Sequence, residues 1–278
     1  MTSATGFSTD AIALRRVEYG DHDLIVTFFT RDRGRLSAIA KNAKKSTRRF
    51  GGRLELFAAV RAICNPPRRG GLLVLQEVEL IRPHAGIRTR IDKTAYASYW
   101  AELVTIGTEE AAPSEAIYEL LAFVLDSLSE GRLPAMHLSI LFQMRYLMLA
   151  GLCPNLEGCC ACRSDLEGMP RKGAVFDLKR GGLTCDRVEC GASGTIHLSK
   201  GTIKQLRWLE SGDLSRALRS RFTAETAAEA EAFLEGFTVY HLGKRPKSLS
   251  VLRQIRTAGA SDRPGPPGRA RKPPATDR

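Results

Sequence analysis

The hydrophobic period of this chain changes between residues 82 and 90, and that change constrains the fold more than any other feature. Before it, residues 9 to 82 read as β. "AIALRRV" and "DLIVTFF" have strand character, and "RDRG" (31 to 34) forms the turn of a hairpin into "RLSAIAK". "GGRLELFAAVRAIC" follows, with Leu54, Leu56 and Ala58 alternating with Arg53, Glu55 and Phe57. "NPPRRGG" breaks the chain and "LLVLQEVELI" supplies a fifth strand. Five short strands in so few residues fit a small closed barrel, which leaves no exposed sheet edge. An SH3-like barrel fits the pattern almost as well.

After the change the apolar residues recur at helical spacing. "PSEAIYELLAFVLDSLSEG" starts at Ser114 as N-cap and stops at Gly131. It places Ile117, Leu120, Leu121, Val124 and Leu128 on one face. "AMHLSILFQMRYLMLAG" (135 to 151) carries His137, Gln143 and Arg145, and is too short and polar to span a bilayer; it reads as a buried helix. "DKTAYASYWAELVTIG" and "TAAEAEAFLEGFTVYHLG" look like further helices. A chain of 278 residues is long for one domain and suggests two or three units of an α+β protein. The final "GASDRPGPPGRARKPPATDR" is too rich in Pro, Gly and charge to pack, so a disordered basic tail is expected.

Six of the seven cysteines fall between Cys153 and Cys190. Cys159 and Cys162 form a C-x2-C pair, a spacing that lets one tight turn aim two thiolates at a tetrahedral ion. Cys185 and Cys190 form a looser C-x4-C pair. One zinc per chain, held by Cys159, Cys162, Cys185 and Cys190, is the expected cofactor. Cys160 should point away from it, and Cys153 should pack against apolar neighbours. The bland alternative is six ordinary small residues with no metal. Four thiolates close the tetrahedron and leave no place for water or substrate, so the zinc is expected to be structural. The H-x-E of zinc deaminases is absent, because His22, His84 and His137 are followed two residues later by Leu24, Gly86 and Ser139. No catalytic residue emerges.

The chain carries 42 basic and 30 acidic residues, a net charge of +12, which suggests a polyanionic partner. Nine of the basic residues lie between Lys41 and Arg69, where Glu55 is the one acid. From this run Lys41, Lys44, Lys45, Arg48, Arg49, Arg53, Arg68 and Arg69 are the expected phosphate contacts. Phe50 and Phe57 lie among or just after them and could stack on bases, although a phenylalanine on a barrel is more often core. A second stretch, Lys244, Arg245, Lys247, Arg253 and Arg256, could extend the path or merely solubilise a helix end. "MTSATGFSTD" has neither the basic start nor the apolar run of a secretory signal, and seven cysteines are an odd count for a disulfide framework. A cytoplasmic protein without membrane contact is the expectation.

Three pieces in this order carry a resemblance: "DAIALRRVEYGDHDLIVTFFTRDRGRLSAIAKNAKKS" with "RRFGGRLELF", then "GLCPNLEGCCAC" with a later "GGLTC", then "YHLGKRPKSLSVL". The arrangement resembles the bacterial RecO family of recombination mediators from about residue 8 to 256. The resemblance implies an OB-fold-like DNA-binding domain over 1–83 and a helical domain over 84–151 and 199–256. It implies a zinc module over 152–198, leaving a basic tail over 257–278. It also implies a non-enzymatic protein of the RecF pathway that binds single- and double-stranded DNA, anneals strands and helps load recombinase. The implied partners are RecR and the acidic C-terminal tail of single-strand-binding protein, and the implied location is the nucleoid. Where such proteins often carry a second C-x2-C, position 188 is Val188. The fourth ligand therefore falls to Cys190, with Cys160 as its substitute. The rival readings are a zinc-ribbon adaptor acting through protein contacts and a zinc-dependent nucleic-acid enzyme.

Overall fold

The computed structural model describes residues 6–67, 70–169, 173–185, 196–210 and 213–261. Arg68, Arg69, Cys190 and the chain beyond Ser261 lie outside these residues.

The first half of the expectation holds: β1 (Phe7–Tyr19), β2 (Asp23–Thr30), β3 (Gly34–Ala40), β4 (Ala59–Asn65) and β5 (Leu73–Arg82) close into a barrel of order β1-β2-β3-β5-β4. One parallel pairing, Ala38 with Leu73 and Ile39 with Val74, completes the circle. Strand alternation explains why residues Ala11 to Leu14 are all buried. Ala11 and Ala13 face the barrel interior with Phe28 and Val60, while Ile12 and Leu14 face the opposite way, into a helical core with Phe29. The barrel is thus walled on one side by helices. Gly34 allows the hairpin turn at φ +66°, and the backbone of Ala112 crosses so close that a Cβ there would lie 2.2 Å from the Ala112 carbonyl oxygen.

The strand expected over "GGRLELF" does not form. Residues 51–58 are turns, β4 begins at Ala59, and a four-residue helix α1 (Thr47–Phe50) precedes them. Burial decides this: Phe50 enters the barrel core, while Phe57, seven residues on, enters the helical core. Phe57 takes φ 67° to make the turn, and its N–H donates to the Ala13 carbonyl at 2.8 Å.

The helical body comprises α2 (Ala85–Arg88), α3 (Ile91–Gly107), α4 (Glu115–Glu130) and α5 (Ala135–Leu149), then α6 (Lys200–Glu210), α7 (Leu214–Ala217), α8 (Ala224–Leu242) and α9 (Lys247–Ser261). Ser114 and Gly131 bound α4 as expected, Gly131 at φ 71°, although the Ser114 side chain makes no capping bond. Helix α5 is buried on two faces. Leu138, Phe142 and Tyr146 join the core under the barrel, and Ile140, Met144 and Leu147 join a second core. Its buried polar Gln143 is satisfied by the Tyr99 hydroxyl, which donates to Oε1 at 2.9 Å. No described helix is long and apolar enough to cross a membrane.

Between α5 and α6 lies a small sheet, β6 (Asn155–Cys159), β7 (Ala174–Asp177), β8 (Gly182–Thr184) and β9 (Ile196–Leu198), of order β6-β8-β7-β9. Phe176 ties it to the body by packing on Phe233 and Phe237 of α8, with ring centroids 4.7 and 5.4 Å away. Helix α9 continues through Ser261, past residue 256, so the segment from 257 to 261 is helix rather than tail.

Candidate nucleic-acid interface and cysteine cluster

The basic run turns tightly at the mouth of the barrel. Asn42 adopts φ 56°, its N–H donates to Asp23 Oδ1 at 2.7 Å, and the Lys44 N–H donates to the His22 carbonyl at 3.0 Å. These bonds clip the run to the β1–β2 hairpin. Phe50 is buried to 2% beneath it, and Phe57 equally so, which removes both from any role in base stacking.

The cations expected to touch phosphate divide by what they already hold. Lys41, Lys45 and Arg48 are exposed. Lys44 forms an ion pair with Glu18 at 2.9 Å and holds that carboxyl below its usual range. Arg49 donates to the Lys41 carbonyl at 2.9 Å and lies over the Phe50 ring, 4.8 Å from its centroid. Arg53 donates to the carbonyls of Arg48 at 2.9 Å and Val78 at 3.3 Å. Arg49 and Arg53 therefore hold the turn and α1 in place. Sequence reasoning missed Arg16, which lies on the exposed end of β1 and pairs with Glu55 at 2.8 Å. Arg16 and Lys44, with Glu18 and Glu55, line a groove of about 360 Å³ floored partly by Leu24 and Phe50. The doublet Arg15-Arg16 was the available signal, but strand membership hid that this end of β1 has only β2 beside it.

The second cationic stretch is not a uniform path. Arg253 pairs with the buried Glu235 at 2.8 Å. Arg256 bonds Glu235 at 2.7 Å and also pairs with Glu231, clamping α9 onto α8. Lys244, Arg245 and Lys247 remain exposed.

Cys159, Cys162 and Cys185 converge, with all three sulfurs within 4.8 Å of one another. The turn after β6 brings the first two together: the Arg163 N–H donates to the Cys159 carbonyl at 2.9 Å, and the Cys159 N–H to the Ser164 carbonyl at 2.8 Å. Strand β8 then delivers Cys185, whose sulfur lies 3.6 Å from that of Cys162. A tetrahedral ion with bonds of about 2.3 Å to sulfur would set such pairs about 3.8 Å apart. Backbone donors favour thiolate here. The N–H groups of Cys185 and Cys162 point at Cys159 Sγ from 3.4 and 3.5 Å. Burial opposes ionisation of Cys159, but these bonds outweigh it and its pKa is lowered. Hydrogen bonds from Ser164 bring Cys162 down to about 6. The donor set fits a soft, thiophilic ion such as zinc. Cys160 is exposed and stands outside this group. Cys153 is exposed too, with its thiol 3.3 Å from Glu210 Oε1, so it does not pack into an apolar site as the sequence suggested.

Comparison with known proteins agrees with the architecture. Residues 3–84 match the family model described as Recombination protein O N terminal, and residues 88–250 match Recombination protein O C terminal. The chain is 44% identical over 251 residues to the DNA repair protein RecO of Desulfatibacillum aliphaticivorans, covering 90% of this chain and 97% of the relative. It is 41% identical over 258 residues to the protein of that name from Desulfosudis oleivorans, covering 90% and 98%. With that of Syntrophus aciditrophicus it shares 35% over 264 residues, covering 93% and 100%. A closed five-stranded barrel, a helical body and a converging cysteine group, matched along almost the whole chain, make this protein a member of the RecO family of DNA repair proteins.

Proposed function

We propose that this protein is a non-enzymatic recombination mediator. It binds single- and double-stranded DNA through the barrel mouth, anneals complementary strands, and helps load recombinase onto DNA coated by single-strand-binding protein. The observation that carries this reading is the group Lys41, Lys45 and Arg48, exposed on a turn clipped to the barrel of a RecO-family chain. Annealing requires two polyanions to approach while base edges stay free. Mobile ammonium and guanidinium groups that touch phosphate and leave bases alone do this without any chemical step. In this reading Arg68 and Arg69 are further phosphate contacts, RecR and the acidic tail of single-strand-binding protein are the protein partners, and the protein works at the nucleoid.

Zinc is structural in this reading. Cys159, Cys162 and Cys185 would hold it, with Cys190 as the fourth ligand; the ion supplies cross-linking and no reaction. Cys159 and Cys185 also belong to the apolar core shared with α5 and α8, so the ligand set and the packing support each other.

The test is strand annealing with single-strand-binding protein present, run across salt concentrations. We expect annealing above the spontaneous rate that declines steeply with salt. Cleaved or altered bases would point to an enzyme, and binding of an acidic peptide without any DNA binding would point to an adaptor.

A further inference from the structure

The groove beside the basic turn is occupied by charge of its own. Beyond Ala13, strand β1 loses β4 as a neighbour, and its residues Arg15 to Tyr19 pair with β2 alone. All five are exposed. Arg16 and Glu18 are two apart on a strand and share a side. Facing them across the groove are Lys44 from the basic turn and Glu55 from the loop before β4. The pairs cross: Arg16 meets Glu55 at 2.8 Å and Lys44 meets Glu18 at 2.9 Å. Every basic side chain lining this groove thus has a carboxylate partner, whereas none of Lys41, Lys45 and Arg48 forms an ion pair among the described residues.

We propose that Glu18 and Glu55 are built-in competitors of phosphate, which a DNA strand must displace to seat in this groove. This rests on the DNA-binding reading above. A carboxylate and a phosphodiester offer an ammonium or guanidinium the same kind of oxygen ligand. The Glu18 side chain is 78% exposed and the Glu55 side chain 36%, so these are solvent-facing pairs, weak enough to exchange. Exchange has a distinct ionic signature. A phosphate that meets a free cation releases counterions from the DNA. One that displaces a carboxylate also leaves that carboxylate to take up a cation from solution, which cancels part of the release. The groove therefore adds contact at a reduced gain in affinity and salt dependence, which suits a protein that must let go of the strand it delivers.

The experiment compares the full chain with its Glu18→Gln/Glu55→Gln variant, titrating a labelled oligothymidylate across salt concentrations. We expect binding about three- to tenfold tighter at low salt, from two weak exposed pairs removed. The salt slope should steepen, by at most about 1.4, the full release of two single-strand phosphate contacts at ~0.7 each. A Glu109→Gln/Glu225→Gln control has the same net charge but lies away from the groove, and should change neither quantity as much. In a Lys44→Met background, Glu18→Gln should have no more effect than one of the control substitutions. Equal tightening by the control, or an unchanged slope in the groove variant, overturns the proposal. If Lys45→Glu/Arg48→Glu weakens binding while the groove variant matches the parent, only the competitor idea fails. If neither parent nor variant binds the oligonucleotide, the DNA-binding reading fails with it.

Discussion

Glu102 reaches across from α3 to the start of α9, where its carboxylate accepts the Ser248 N–H at 2.8 Å and the Lys247 N–H at 3.0 Å. The "GKRPKS" segment therefore has its anion already, supplied from within the chain. Burial opposes the charge on Glu102, but the donors of Ser248 and Lys247 outweigh it, and its pKa is lowered. A lowered carboxyl pKa stabilises the fold above the unfolded value, and that contribution is lost as pH falls through the folded one. We expect Glu102→Ala to cost about 1–3 kcal/mol in urea unfolding near neutral pH, and less near pH 3.

Glu231 carries the opposite sign. It is buried between Tyr96, Arg256 and Glu235; desolvation dominates the attraction of Arg256 and raises its pKa to about 7. The folded state then holds a proton that the unfolded state has released, so this group's contribution is full below about pH 4.5 and lost as pH rises through 7. Glu231→Gln should remove a component of about 1–3 kcal/mol from the pH dependence of unfolding between these limits. An identical pH profile in the variant would refute the assignment.

Among the basic residues, the free and the committed should separate by assay. Lys41→Gln/Lys45→Gln/Arg48→Gln should weaken oligonucleotide binding at least tenfold at low salt and flatten the salt slope by about 2, with no change in melting temperature. Arg49→Gln should instead lower stability by about 1 kcal/mol, because it loses the Lys41 carbonyl and the Phe50 ring.

Phe50 fills a barrel interior otherwise lined largely by alanine and medium-sized aliphatic residues. Phe50→Ala should cost about 3–5 kcal/mol in chemical unfolding and loosen the basic turn above it. DNA affinity should then fall without the loss of any charge.

Metal analysis of the purified protein should give about one zinc per chain. Cys185→Ser should lower that content and expose the β6–β9 sheet to proteolysis, because a thiolate ligand and a core side chain are lost together. Cys160→Ser and Cys153→Ser should leave both unchanged, since neither thiol joins the converging group.

The period of the apolar residues was enough to locate five strands and the helices α3, α4, α5 and α8, because alternation and i, i+3, i+4 spacing are local consequences of burying one face. Cysteine spacing was likewise enough to single out the C-x2-C turn, whose geometry spans only four residues, but the apolar period misled at one place. It was not enough for residues 51–58, where the alternating Leu54, Leu56 and Ala58 looked like a strand. Phe50 and Phe57 belong to different cores, and no local pattern states which core a side chain will enter. The same limit applied to charge. Lysine and arginine counts marked "KNAKKSTRR" as basic, but Arg49 serves the Lys41 carbonyl and the Phe50 ring, and Arg53, Arg253 and Arg256 serve a carbonyl or a buried carboxylate far away in sequence. Composition determined that this surface is positive; only the tertiary structure decided which of its charges are free, because an ion pair depends on distance in space and the sequence records only distance along the chain.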